Sequence, residues 1–117
     1  MKFERFEEII AWQKAKTLAV EIYQTFEGSK DFGFKDQIQR ASVSIMNNIA
    51  EGFDRQTNKE FRQFLFIAKG SCSEVRSMLY LSEDITSLKQ EKVELLVAQT
   101  VEISKILTGL IRSIKSD

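Results

Sequence analysis

Proline is absent from this 117-residue chain and glycine occurs only five times, so little in it stops a helix once one has begun. Long uninterrupted helices are the expected elements, and the few joints between them stand out. The spacing predicts a first helix from about Glu7 to Phe26, with Ala11, Ala15, Leu18, Ile22 and Phe26 on one face at intervals of three and four. Gly28-Ser29-Lys30-Asp31 ends it. A second helix from about Lys35 to Phe53 turns Ile38, Ala41, Ser42, Ile45 and Ile49 inward, and Gly52 near its end suits a left-handed cap.

Thr57-Asn58-Lys59-Glu60 opens a third helix, because a threonine cap and a glutamate three residues on can satisfy each other's backbone donors. It runs to about Ile85. Phe61, Phe64, Leu65, Ala68, Cys72, Val75, Leu79 and Ser82 form its main stripe, while Phe66, Ile67, Tyr80 and Leu81 fall outside it. At about 29 residues this helix is about 43 Å long, with surface to spare for another subunit. Ser87-Leu88-Lys89-Gln90 repeats the capping pattern and opens a fourth helix, in which Val93, Leu96, Thr100, Ile103, Leu107, Leu110 and Ile114 alternate three and four apart. Four helices with short links predict a single all-α domain over residues 1–117, an antiparallel up-down-up-down four-helix bundle. The capped breaks at 28–33, 54–57 and 86–89 argue against one extended coiled coil.

Charge and composition exclude much chemistry. Seventeen basic residues balance seventeen acidic ones, so the whole molecule lacks the positive field that drives unspecific binding to phosphate backbones. Any nucleic-acid contact needs a local patch. No apolar run approaches the roughly 20 residues of a membrane span, and the opening Met1-Lys2-Phe3-Glu4-Arg5-Phe6 carries charge where a signal peptide is apolar, which predicts a cytoplasmic protein. The single cysteine, Cys72, rules out an internal disulfide and reads as a small core residue. The absence of histidine removes the usual general acid-base group and the commonest zinc and di-iron ligand, so no cofactor or metal is expected.

On the second helix Gln37, Arg40, Ser44, Asn47 and Glu51 share one face, with Asn48 at its edge. Such a row is either a solvated outer face or a partly buried network. Short serine and asparagine side chains favour the network, because they suit a solvated helix interior poorly and allow close helix approach. Glu74, after Gly70-Ser71-Cys72-Ser73 on the third helix, would find a partner in Arg40 or Asn48 if drawn into packed surroundings. The candidate interface network is thus Arg40, Ser44, Asn47, Asn48, Glu51, Ser71 and Glu74. A catalytic pairing of Glu51 with Glu74 lacks a nucleophile with an activating base, a phosphate-cradling glycine loop and a metal-ligand cluster, so no catalytic residue is assigned and no small-molecule substrate is expected.

Trp12 lies off the main stripe of its helix, with Ala19 and Tyr23 on the same side; it either completes a core or anchors a partner. With Phe66, Ile67, Tyr80 and Leu81, Trp12 and Tyr23 are the candidate oligomer contacts. Arg55, Lys59, Arg62, Lys69 and Arg76 cluster around the second link and the third helix, interspersed with acids. They form either a solvated face or, through Arg55, Lys59, Arg62 and Lys69, a nucleic-acid contact.

Several of these segments carry a resemblance to a known family. Trp12-Gln13-Lys14-Ala15, Gln37-Ile38-Gln39-Arg40-Ala41, Ser44-Ile45-Met46-Asn47-Asn48-Ile49-Ala50-Glu51-Gly52, Lys59-Glu60-Phe61 and Ala68-Lys69-Gly70-Ser71-Cys72-Ser73-Glu74-Val75 occur in this order. The chain resembles, end to end, the bacterial four-helix-bundle proteins encoded in intervening sequences of large-subunit ribosomal RNA genes. Asn48-Ile49-Ala50-Glu51-Gly52 is the most specific segment. The resemblance implies an up-down four-helix bundle assembled as a homopentameric ring. It also implies similarity to the accessory protein of diversity-generating retroelements, a bundle of like form thought to bind a reverse transcriptase and nucleic acid. Two positions depart from the pattern. Met46 stands where the family usually has proline, so no kink is imposed on the second helix, and Gln39 stands where a second arginine commonly precedes Arg40, which weakens the basic surface.

The function expected on these grounds is that of a non-enzymatic oligomeric binding protein, an accessory to RNA or to a nucleic-acid enzyme such as a reverse transcriptase. The alternative is a protein-binding scaffold without nucleic-acid affinity.

Overall fold

The computed structural model describes residues 3–115. Among them are four long α-helices and no strand: α1, Ile10–Thr25; α2, Phe32–Phe53; α3, Asn58–Ile85; and α4, Gln90–Ser113. A 3-10 turn over Phe6–Glu8 precedes α1 and leaves Ile9 buried at the helix entrance, so the helix begins later than Glu7. By contrast α2 begins earlier than Lys35. The Asp31 side chain accepts the Phe34 amide at 3.1 Å, an N-cap that places Gly33 inside the first helical turn, where it breaks nothing.

At the start of α3 the Thr57 hydroxyl accepts the Glu60 amide and contacts the Glu60 carboxylate, both at 3.1 Å, as the capping pattern predicts. The corresponding expectation for Ser87 is not met. Thr86 occupies that joint, donating to the Ser82 carbonyl at 2.7 Å and accepting from the Leu88 amide at 3.2 Å. The chain stays extended to Lys89, and α4 starts at Gln90.

Each helix packs against its neighbours in sequence, and α1 also packs against α4; neither diagonal pair approaches closely. The result is a four-cornered helical bundle measuring 47 × 22 × 19 Å. The expected stripes line its interior, where Leu18, Ile22, Ile38, Ile45, Ile49, Leu65, Leu79, Leu96, Ile103 and Leu107 are fully enclosed. Four buried hydroxyl residues interrupt this apolar core, Ser71 at the α2–α3 seam and three deeper ones. Ser42, Ser82 and Thr100 each donate to the carbonyl three residues back, at 2.8, 2.6 and 2.7 Å, so none carries an unmet hydrogen bond into the interior.

The links are grouped in space. Those after α1 and α3 flank one cavity of about 350 Å³, bordered by Phe26, Ser29, Asp31, Ile85, Thr86 and Leu88. Phe3 and the link after α2 meet around a second, of about 160 Å³, with Phe53, Arg55, Thr57 and Phe61.

Candidate functional site

The contact between α2 and α3 depends on Gly52. A β-carbon built there would lie 2.5 Å from the Phe64 β-carbon, closer than two such atoms can come, so only glycine lets the helices meet at this level. No residue has positive φ among those described. Gly52 therefore serves close approach and not the expected left-handed cap; it is helical, and Asp54 ends α2.

Further along this seam the polar row divides. Ser71 donates to Ser44 across the two helices at 2.9 Å, and the Asn48 side-chain amide donates to the Ser44 carbonyl and hydroxyl at 2.8 and 3.0 Å. These three make a small, part-buried polar knot. Glu74 is joined to α2 by Gln37, whose amide donates to its carboxylate at 3.4 Å, and not by Arg40 or Asn48 as expected. Arg40 pairs with Asp36 at 2.8 Å and Glu51 with Arg55 at 3.3 Å, both exposed pairs one turn apart on a helix. Asn47 is exposed as well. Both readings of the row hold in part: its inner edge is a network and its outer edge is solvated. Glu51 and Glu74 are exposed and engaged by different groups, an arrangement unlike a shared acid-base site.

The basic candidates also separate. Arg55 lies over the Phe64 ring, 4.8 Å from its centroid, while holding Glu51, and so is committed within the bundle. Lys59 is exposed and Lys69 half-buried. Arg62 is half-buried with its Nε enclosed and without a hydrogen-bond partner. Beside Lys69, burial pushes the Cys72 thiol up to about 12, against which the lysine charge pulls only weakly. The thiol stays protonated and unreactive at neutral pH, as befits a core residue.

Of the candidate oligomer contacts, Tyr23, Phe66, Ile67, Tyr80 and Leu81 all lie on the surface, each between 46% and 53% exposed. Trp12 differs. It is half-buried, packs its edge against Phe6 with ring centroids 5.2 Å apart, carries Lys16 over its face and leans on the core. Sequence reasoning missed Phe32, at 71% exposure the barest large apolar side chain described, because the late start assigned to α2 left it in a loop. Asp31 as a cap was the signal that would have found it.

Residues 7–109 match the family described as 23S rRNA-intervening sequence protein. The chain belongs to this family. The match takes in α1 to α3, most of α4 and the seam at Gly52. Among solved structures, a protein of unknown function from the S23 ribosomal protein family of Bacteroides thetaiotaomicron is 25% identical in sequence. The similarity covers 89% of this chain and 96% of that one, with a TM-score of 0.82. No curated protein matches. Met46 is half-buried, and α2 runs unbroken from Phe32 to Phe53.

Proposed function

We propose that this 23S rRNA-intervening sequence protein is a non-enzymatic, oligomeric binding protein of the cytoplasm, an accessory that contacts RNA or an enzyme acting on nucleic acid. The observation that carries the reading is the half-exposed apolar set on α3, Phe66, Ile67, Tyr80 and Leu81. The bundle's own core is already filled by the opposite face of that helix, so these side chains gain only by covering against another molecule. The protomer is an up-down-up-down bundle: this is supported by links after α1 and α3 that share one cavity while the link after α2 meets Phe3 around another. The assembly is the homopentameric ring that the family resemblance implies. Head-to-tail contacts that close on themselves give such rings.

Light scattering of the purified chain tests the assembly. The expected mass is five times 13.5 kDa, about 68 kDa. A mass of 13.5 kDa at micromolar concentration would sink the oligomeric reading. Nucleic acid recovered with the protein, read from the ratio of absorbance at the base and protein maxima, tests the RNA association. A nucleic-acid-free preparation that captures protein alone would favour the scaffold alternative.

A further inference from the structure

Five cations gather along one flank of the bundle. On α3, Arg62, Lys69 and Arg76 recur every seven residues, and on α4 Lys105 and Arg112 do the same. None of the five takes part in an ion pair among the described residues. The stretches that carry them, 62–80 and 98–112, contain one acid each, and both acids look elsewhere. Glu74 is held by Gln37 of α2, and Glu102 by Lys14 of α1 at 3.4 Å. The side shared by α3 and α4 is therefore cationic from Arg62 to Arg76 and along the facing part of α4, and ends in exposed acids, Glu83 and Glu94, of the same two rows, although the chain is neutral overall.

Arg76, Ser73 and Cys72 come together with Thr100 and Ser104 around a small polar pocket, which fixes the level of one helix against the other. In an up-down bundle α3 and α4 run antiparallel, so Lys105, Thr108 and Arg112 step down α4 alongside Lys69 and Arg62 on α3. Two aromatic side chains stand in the same row of α3. Phe66 follows Arg62 by four residues, Tyr80 follows Arg76 by four, and both are 53% exposed. Ile67 and Leu81 lie one row over, toward α2, so the protein-contact row and the cationic row are adjacent flanks of the same helix.

We propose that the α3–α4 flank bearing Arg62, Lys69, Arg76, Lys105 and Arg112 is a track for single-stranded RNA, with Phe66 and Tyr80 as stacking platforms for its bases. This rests on the RNA-associated reading above. The cations span about 21 Å from Arg62 to Arg76, room for about six stacked nucleotides at 3.4 Å each. Unpaired cations supply the backbone attraction, and exposed rings accept any base face, a combination that suits an unpaired strand better than a duplex whose bases are stacked on one another. An acidic peptide would use the cations but leave the rings idle.

The test titrates a fluorescently labelled single-stranded RNA of about fifteen nucleotides into the full-length protein and follows anisotropy as salt is raised. Wild type is expected to bind at low salt. Lys69→Gln/Arg76→Gln/Lys105→Gln is expected to bind about tenfold or more weakly, with the slope of log affinity against log salt reduced by about two. Phe66→Ala/Tyr80→Ala should lose a similar factor with the slope unchanged. Lys16→Gln/Lys30→Gln/Lys35→Gln, which removes equal charge from the α1–α2 side, should bind as wild type does. Should the first variant fail to fold by circular dichroism, Lys105→Gln/Arg112→Gln, confined to exposed positions, carries the same comparison. Undiminished binding by the α3–α4 variants, equal loss in the α1–α2 variant, or tighter binding of duplex RNA of the same length each overturns the track. Mass measured on the same samples separates the two claims. A ring that ignores RNA overturns both the track and the direct RNA contact on which it rests; a ring that binds RNA equally well in every variant overturns the track alone, and a monomer that binds it overturns the ring alone.

Discussion

Gly52 is the residue on which the α2–α3 contact is most sensitive. Replacing it with alanine gains up to about 1 kcal/mol of helix propensity but drives a methyl into Phe64, an overpacking that typically costs about 1–3 kcal/mol. The net expectation is a lower thermal midpoint for Gly52→Ala, and an unchanged or raised midpoint would show that the seam can yield. Cys72 makes a different prediction. Its thiol ionises near 9 when unfolded but at about 12 when folded, so above pH 9 the unfolded state releases a proton that the folded state keeps. The stability from that burial is complete below pH 9 and is lost as pH rises toward 12. The urea midpoint of wild type should therefore fall more steeply between pH 8 and 10.5 than that of Cys72→Ala; parallel curves would remove the thiol as the cause. At this scale the sequence is unevenly legible. Cys72 as a core residue follows from its stripe, whereas Gly52 looks like a cap, because spacing marks a glycine near a helix end without revealing that a phenylalanine from another helix stands above it.

Helices were the most legible level of the structure. With no proline and strong three-and-four periodicity, the number of helices, their order and the residues they bury follow from pattern, since the inward stripe is also what drives packing. Their ends were less legible, because capping residues compete. Thr57 was recognised through Glu60, and Thr57→Ala should cost about 1 kcal/mol, read as a fall of several degrees in the melting temperature. Ser87 looked equivalent but Thr86 turns the chain first, so Ser87→Ala is expected to change stability by less than about 0.5 kcal/mol. A loss at Ser87 as large as that at Thr57 would contradict the observed joint. The polar row on α2 needed coordinates for a related reason. Ser44, Asn47 and Glu51 share a face in sequence, yet only Ser44 comes within reach of α3, where Ser71 meets it.

For the whole molecule, assembly is the property that mutation can expose most directly. Ile67→Glu/Leu81→Glu places two carboxylates on the apolar row while sparing the core, and is expected to reduce the mass in solution toward that of one chain with helical content intact. An undisturbed oligomer would move the contact to other exposed apolar groups such as Phe32, Tyr23 or Leu95. None of this could be read from net charge, which sums over the surface and hides where each sign resides. Because the total is zero, cations drawn together over part of the α3–α4 flank leave acids to gather elsewhere, and Glu83, Asp84, Glu91 and Glu94 do so where α3 ends and α4 begins. Each protomer thus changes sign along its α3–α4 side: near its isoelectric pH of about 6.4 it should still be retained at low ionic strength by both cationic and anionic resins, where an evenly patterned protein of equal charge would pass through both.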